Sequence, residues 1–529
     1  MKRRQFVGRA ASAAFLGSIA RPSIVRAASA TTLKFVPYAD LALLDPLVSA
    51  FVTRNHVMMV FDTLFSLDAA GVARHQMLAG HTVDADEKVW TLTLRDGLMF
   101  HDGTPVLARD AVASIRRWAY KDAFGQALLA ATDDLSAPND KQIVFRLSRP
   151  FPLLPQALAK PTNQMAAIMP ERLAKIPATT LLNEMVGSGP FRYLAEERVS
   201  GAHNAYAKFD KYVPREGVAS FCAGPRIANF ERVEWLTTPD PSTQAAALKS
   251  GEVDWVEQPV MDLVPSLKAD RNLRVEVMET TGLIGVLRFN HLYPPFDNPA
   301  IRRAVLRAVN QREFMTAVAG DVAPGVINDK VGFFAPSSVY ASAAGLENFS
   351  PNPDLAALKQ EIKAAGYNGE KVVFLGAADV PRITAICQVG ADLLTKLGLN
   401  VDYVSTDWGT VVQRSTRKQP ISEGGWSMFG SMWGGLDWDN PAGNLALRGN
   451  GMNAWFGWPT APKLEAIRDQ WLHATDMPTQ KALAADMQRQ AFEDAPCMPL
   501  GLYYQPVAYR ADLSGMMKGL ILFTGVKRT

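Results

Sequence analysis

The sequence predicts an α/β protein of several domains, with at least one parallel, helix-covered sheet in its second half. Three observations carry this. At 529 residues, 48% of them hydrophobic and 20% charged, the chain has an ordinary globular balance on a length too great for one core. Alternating apolar residues mark half-buried strands in the first third. Between 371 and 404 a strand, a helix and a second strand follow one another, and strands joined through a helix run parallel with the helix packed over them.

In chain order, Trp90, Leu92 and Leu94 alternate with Thr91, Thr93 and Arg95, and Arg95-Asp96-Gly97 is expected to turn this strand into a second short one, a hairpin. His101-Asp102-Gly103-Thr104-Pro105 makes another turn, in which His101 is most simply a hydrogen-bonded residue. Ala108 to Tyr120 then carries Val112, Ile115 and Trp118 at helical spacing. Ile143, Phe145 and Leu147 alternate again. Asn298-Pro299 offers a cap and a first-turn proline to a helix with Ile301, Ala304, Val305 and Ala308 on its apolar face. Its other face holds Arg302, Arg303 and Arg307, which read as a solvated surface. A helix from about Asp354 to Ala365 precedes the clearest unit: strand Lys371–Gly376, helix Val380–Leu397 capped by Gly398, strand Leu399–Val404.

Charge and composition exclude several classes. Lys and Arg number 55 and Asp and Glu 52, a net charge of +3, too slight for a nucleic-acid footprint. The first thirty residues read as an address. Lys2-Arg3-Arg4 opens a basic head resembling a twin-arginine export signal, Ala10 to Ala20 is apolar but too short to span a bilayer, and Ala28-Ser29-Ala30 is a small-x-small cleavage pattern. Those residues hold six of the basic side chains and none of the acidic ones, so a mature chain starting at Thr31 carries −3. A soluble periplasmic protein without a lipid anchor is expected. Cysteines at 222, 387 and 497 allow at most one bridge and no metal cluster.

A search for chemistry finds little. No phosphate loop, dinucleotide fingerprint or HExxH is present, and the Ser415-Thr416-Arg417-Lys418 match to a serine-x-x-lysine motif lacks its partners. No catalytic residue, metal site or cofactor is expected. Aromatic density stands out instead: Trp426, Trp433, Trp438, Trp455 and Trp458 fall within 33 residues, separated by glycines. Such backbone is expected to form loops around a ligand. Asp437, a carboxylate among indole rings, is suited to pairing with an amine, with Trp426, Trp433 and Trp438 as candidate aromatic walls. Asp439 and Asn440 read as a turn before Pro441.

Several segments together resemble family 5 extracellular solute-binding proteins, the oligopeptide- and dipeptide-binding group of ABC importers. They are Trp90 to Gly97, Phe100 to Pro105, Gly187-Ser188-Gly189-Pro190-Phe191, Ala247 to Asp254, Phe289-Asn290 and Pro295 to Val305, with Ala495 to Leu500 closing the series. The resemblance implies a periplasmic-binding-protein type II-like clamshell: two α/β lobes joined by a hinge, plus an extra α+β domain. Domain I is expected at 31–74, 187–288 and 500–529, domain II at 75–186 and domain III at 289–499, with ligand between I and III. In peptide-binding relatives an aspartate just before an Asp-Pro segment pairs with the α-amino group, and Asp437 holds that position. Asn290 and Tyr38 become lining candidates by position. Trp438, and Asn440 in place of an aspartate, depart from the pattern and turn the expectation toward a small amine-bearing or peptide-like solute. The implied partners are that solute and an inner-membrane permease, with the protein monomeric and no nucleic acid involved. A periplasmic enzyme acting on a small amine or peptide, exported by the twin-arginine route, is the alternative.

Overall fold

A computed structural model describes residues 31–48, 50–162, 164–320 and 325–529. The expected export leader and its cleavage site lie outside the described residues. Three sheets organise the chain. The first lobe holds β1 (Thr32–Val36), β8 (Phe191–Tyr193), β9 (His203–Lys208), β10 (Arg232–Leu236), β11 (Trp255–Val256), β12 (Leu273–Glu276) and β19 (Val507–Arg510), in the order β12-β19-β11-β1-β10-β9-β8. The second lobe holds β13 (Leu283–Phe289), β14 (Ile327–Asn328), β15 (Lys371–Ala377), β16 (Asn400–Thr406), β17 (Met428–Gly434) and β18 (Cys497–Tyr503), ordered β14-β18-β13-β17-β15-β16. The extra domain is built on β4 (Leu78–Val83), β5 (Val89–Leu94), β6 (Thr132–Ser136) and β7 (Gln142–Leu147), ordered β4-β5-β7-β6. Two short ribbons, β2 (Phe65–Leu67) with β3 (Ala73–His75) and β20 (Leu513–Ser514) with β21 (Lys527–Arg528), complete the strands.

The sheets move two expected boundaries. β13 and β18 both belong to the second lobe, so the chain crosses between lobes at 277–282 and again at 504–506, rather than at 288/289 and 499/500. Strong apolar runs explain the shift: every residue of β13 and of β18 is buried, as central strands covered on both faces must be. The four-stranded sheet of the extra domain spans residues 78–147. That domain is pinned to the first lobe by a buried ion pair, Arg117 Nη2 to Asp45 Oδ2 at 2.7 Å with both side chains 1% exposed. His101 adds a second tie, its Nε2 lying 3.0 Å from the Gly189 carbonyl while its Nδ1 accepts from the Gly187 amide at 3.3 Å.

Local structure follows the sequence at most points and departs from it at three. The strand–helix–strand unit is present as β15, the helix Pro381–Lys396 and β16, with β15 and β16 parallel over seven residue pairs. Asn298 caps the helix Pro299–Arg307 by accepting from the Ala300 amide at 2.9 Å. The hairpin expected after β5 does not form: β5 pairs with β4 and β7, and the chain beyond Gly97 makes only an isolated bridge, Met99 to Pro105. Arg302 is not solvated. Its guanidinium is buried and donates to the carbonyls of Phe296, Asp297 and Asp494 at 2.7, 3.1 and 2.9 Å, while Arg307 pairs with Glu361.

The third departure is the glycine-rich aromatic stretch, where β17 is a regular strand, hydrogen-bonded to β13 along its full length and to β15. Glycine serves close packing there. A Cβ at Gly430 would lie 2.4 Å from Cys387 Sγ on the overlying helix, so the bare backbone lets that helix approach the sheet. Cys222, Cys387 and Cys497 are all free and buried, so no bridge forms.

Candidate functional site: the crevice between the lobes

Ligands of open α/β sheets sit outside the carboxyl ends of the parallel strands. In the first lobe β1 runs parallel to β10 and β11, and in the second β15 runs parallel to β16 and β17. The residues that follow these strands meet across the lobe boundary. Arg382, in the first turn of the helix after β15, places its guanidinium 5.1 Å from the centre of the Tyr38 ring, two residues beyond β1. Its Nη1 donates to Gln258 Oε1, two residues beyond β11, at 3.1 Å.

The first-lobe wall is charged and tightly held. Tyr38 donates its amide to Glu257 Oε2 at 2.9 Å, and Asn55 donates to Glu257 Oε1 at 2.8 Å. Burial raises the Glu257 carboxyl against these bonds. Arg54 lies over the Phe51 ring at 5.2 Å and pairs loosely with Glu279 at 3.4 Å; its Nε is buried with no partner among the described residues. A small cavity of about 30 Å³ opens at the hinge among Glu257, Gln258, Glu279, Gly282 and Gln505.

Opposite stands Asp437, on the short turn Gly435–Trp438 that β17 runs into. It is 7% exposed. Burial pushes its carboxyl up to about 6, with the charges of Arg54 and Lys160 pulling the other way. Those two cations are engaged elsewhere, Arg54 with Glu279 and Lys160 with Asp122, and Asp437 makes no ion pair with any described residue. Backbone crowding fixes its turn: the Gly435 amide donates to the Gly282 carbonyl at 2.8 Å, and a Cβ at Gly435 would lie 2.0 Å from the Thr281 carbonyl. A Cβ at Gly434 would lie 3.4 Å from both Asp437 Oδ2 and Phe51 of the other lobe. Trp433, half-buried at the end of β17, packs edge-on to Trp455 at 4.9 Å and leaves its buried indole N–H without a partner among the described residues.

The residues read from sequence therefore divide. Asp437 and Tyr38 stand at the crevice, whereas Trp433, next to Gly434 at the end of β17, packs its ring on Trp455 inside the second lobe. Trp438 is fully buried, stacked parallel to Phe333 at 6.4 Å. Trp426 is 1% exposed, donates its indole N–H to the Arg417 carbonyl at 3.2 Å and packs on Phe429 and Trp458. Asn290 is 1% exposed and donates to the Trp426 carbonyl at 2.8 Å. These three are corrections: their contacts lie inside the second lobe, where glycine-rich chain lets large rings pack into a core. Asn440 makes the expected turn, accepting from the Ala442 and Gly443 amides.

Sequence reasoning missed Arg54, Glu257, Gln258, Glu279 and Arg382. Arg382 had a local signal, because a cation in a helix's first turn opposes the helix dipole and a broken local rule marks function more often than chance. Glu257 and Gln258 follow a two-residue strand too short for any period to register.

Comparison with known proteins now bears on this crevice. The chain matches bacterial extracellular solute-binding proteins, family 5 middle, over residues 74–454. It belongs to that family. A probable peptide ABC transporter periplasmic-binding protein of Sinorhizobium fredii, y4tO, is 35% identical over 502 residues, 94% of each chain. Two solved structures share the fold at a TM-score of 0.77 and 21% identity: AgaA of A. tumefaciens R10 in complex with agropinic acid, with 94% of this chain and 99% of that one covered, and DppA of Helicobacter pylori in complex with the peptide STSA, with 95% and 99%. The fold is the type II-like clamshell of periplasmic binding proteins, and the chain is a solute-binding protein that works with an ABC transporter permease. Proteins of this family bind without transforming the solute, so the enzyme alternative is set aside. No helix among the described residues is long and apolar enough to cross a membrane.

Proposed function

We propose that this family 5 protein captures a small peptide-like solute bearing both an amine and a carboxylate, closing its lobes on it in the periplasm as a soluble monomer without a lipid anchor. The observation that carries this reading is Asp437: a buried carboxylate at the lobe boundary with no ion pair of its own among the described residues. An amine supplies the missing counter-charge. Arg382, on the same lobe as Asp437, spans the crevice to Tyr38 and Gln258, and its charged fork suits a carboxylate. The indole N–H of Trp433, buried and without a partner among the described residues, is a donor suited to a solute carbonyl that reaches the end of β17. A relative named for peptides and fold neighbours holding STSA and agropinic acid support a solute of this size and chemistry.

Calorimetry tests it. Free dipeptides are screened by thermal shift, and the best binder is compared with its N-acetylated and C-amidated forms. Each blocked form is expected to bind more than about tenfold more weakly, as are Asp437→Asn and Arg382→Gln with the free dipeptide, since losing one partner of a buried charged pair costs about 2–5 kcal/mol. Equal affinity for the acetylated form removes the role given to Asp437. A screen without any stabilising dipeptide overturns the peptide-like reading.

A further inference from the structure

The extra domain carries a groove that the crevice does not use. It runs between the helix Ala108–Lys121 and the short helix Glu171–Ala174 and encloses about 460 Å³. Its floor includes the small side chains of Val112, Ala113 and Ala174, and its rim carries Arg109, Arg116 and Lys175. Arg109 and Lys175 are 61% and 69% exposed. The acidic residue among the lining is Glu171, which both of them approach, at 3.9 and 2.8 Å. Tyr120, 59% exposed, extends the same face of the long helix by one turn beyond Arg116.

We propose that this groove is a docking surface for an acidic amphipathic helix of the importer's membrane subunits. Charge complementarity selects the occupant. Residues 31–529 are net acidic at −3, yet this groove sets four cations against one carboxylate over an apolar floor; Arg117 is neutralised beneath it by Asp45, which leaves Arg109, Arg116 and Lys175 at the rim. Arg109 and Arg116 stand seven residues apart on one helix face, about 10 Å along its axis. The matching segment carries carboxylates two turns apart with small apolar residues between them. The floor is recessed and built from small side chains, which receive protein side chains but give a bilayer nothing to insert. The groove's role is independent of which solute the crevice takes.

Photo-crosslinking in cells of the native host, with benzoylphenylalanine at position 112, tests the surface. The expected product is an adduct with a membrane subunit of the importer, identified by mass. Its yield falls at least tenfold in the double variant Arg109→Glu, Lys175→Glu and returns in Arg109→Lys, Lys175→Arg. Melting temperature and the calorimetric affinity of the crevice for its solute stay unchanged in the reversed variant, which separates this surface from the solute site. An adduct with lipid alone, no adduct at 112, or an adduct indifferent to charge reversal overturns the proposal.

Discussion

At the residue scale, the role proposed for Asp437 predicts that solute binding depends on pH. Its carboxyl titrates near 6 in the unliganded protein, above the usual carboxylate range, so between about pH 4 and 6 the folded chain holds a proton that the unfolded chain has released. This group's contribution to stability therefore declines as pH rises through that window. An amine beside it favours the charged form and expels the proton. Affinity for an amine-bearing solute is thus expected to be level above pH 6 and to weaken about tenfold between pH 7 and pH 5, with the dependence flattened in Asp437→Asn. Calorimetry at four pH values in buffers of different ionisation heat reads both the affinity and the released proton. A flat profile in the parent protein contradicts the arrangement. Asp437 stands out in the sequence because a carboxylate among indoles is a local oddity, and the structure puts it at the lobe boundary. Trp438, its neighbour, carried the same signal, yet stacks on Phe333, because adjacent residues of a tight turn point in different directions and composition does not encode which.

At the element scale, legibility follows periodicity. The unit from β15 to β16 was readable because helix and strand periods switch cleanly within it and Gly398, at φ +82°, closes the helix. β17 was not, since Gly430 and Gly434 remove the side chains by which a strand is recognised. Its glycine instead sets how closely the helix Pro381–Lys396 lies on the sheet. Gly430→Ala is expected to cost about 1–3 kcal/mol by overpacking against Cys387 Sγ and Leu287. The urea midpoint falls with no change in slope, and Cys387→Ala in the same chain recovers part of the loss by removing the sulfur. A double variant no more stable than Gly430→Ala places the strain elsewhere. The hairpin expected after β5 failed for the converse reason: Arg95-Asp96-Gly97 does turn, but β7 from 45 residues downstream takes the neighbouring edge, and no local pattern reports a competing strand.

At the scale of the whole molecule, the two crossings at 277–282 and 504–506 form a hinge, and the residues that bridge the crevice set how often it is shut. Arg382 reaches Tyr38 and Gln258 from the opposite lobe, so closure gains a hydrogen bond and a cation–π contact that the open form lacks. Together these are worth about 1–2 kcal/mol, and Arg382→Ala is expected to lower the closed population of the unliganded protein roughly tenfold. Small-angle scattering reads this as a larger radius of gyration without solute; an unchanged radius shows that the contacts do not hold the lobes. The clamshell itself was legible from motifs spread along the chain, whereas the crossing points depended on which sheet β13 and β18 join, a question of long-range pairing. The three free cysteines have a wider consequence. Cys222 and Cys387 are sealed with their thiols pushed up by burial to about 12, and Cys497 to about 11, so almost no thiolate exists to react at neutral pH. The native state is therefore reached without an oxidant and withstands one, and the fold can be completed on either side of an inner membrane, before or after transit.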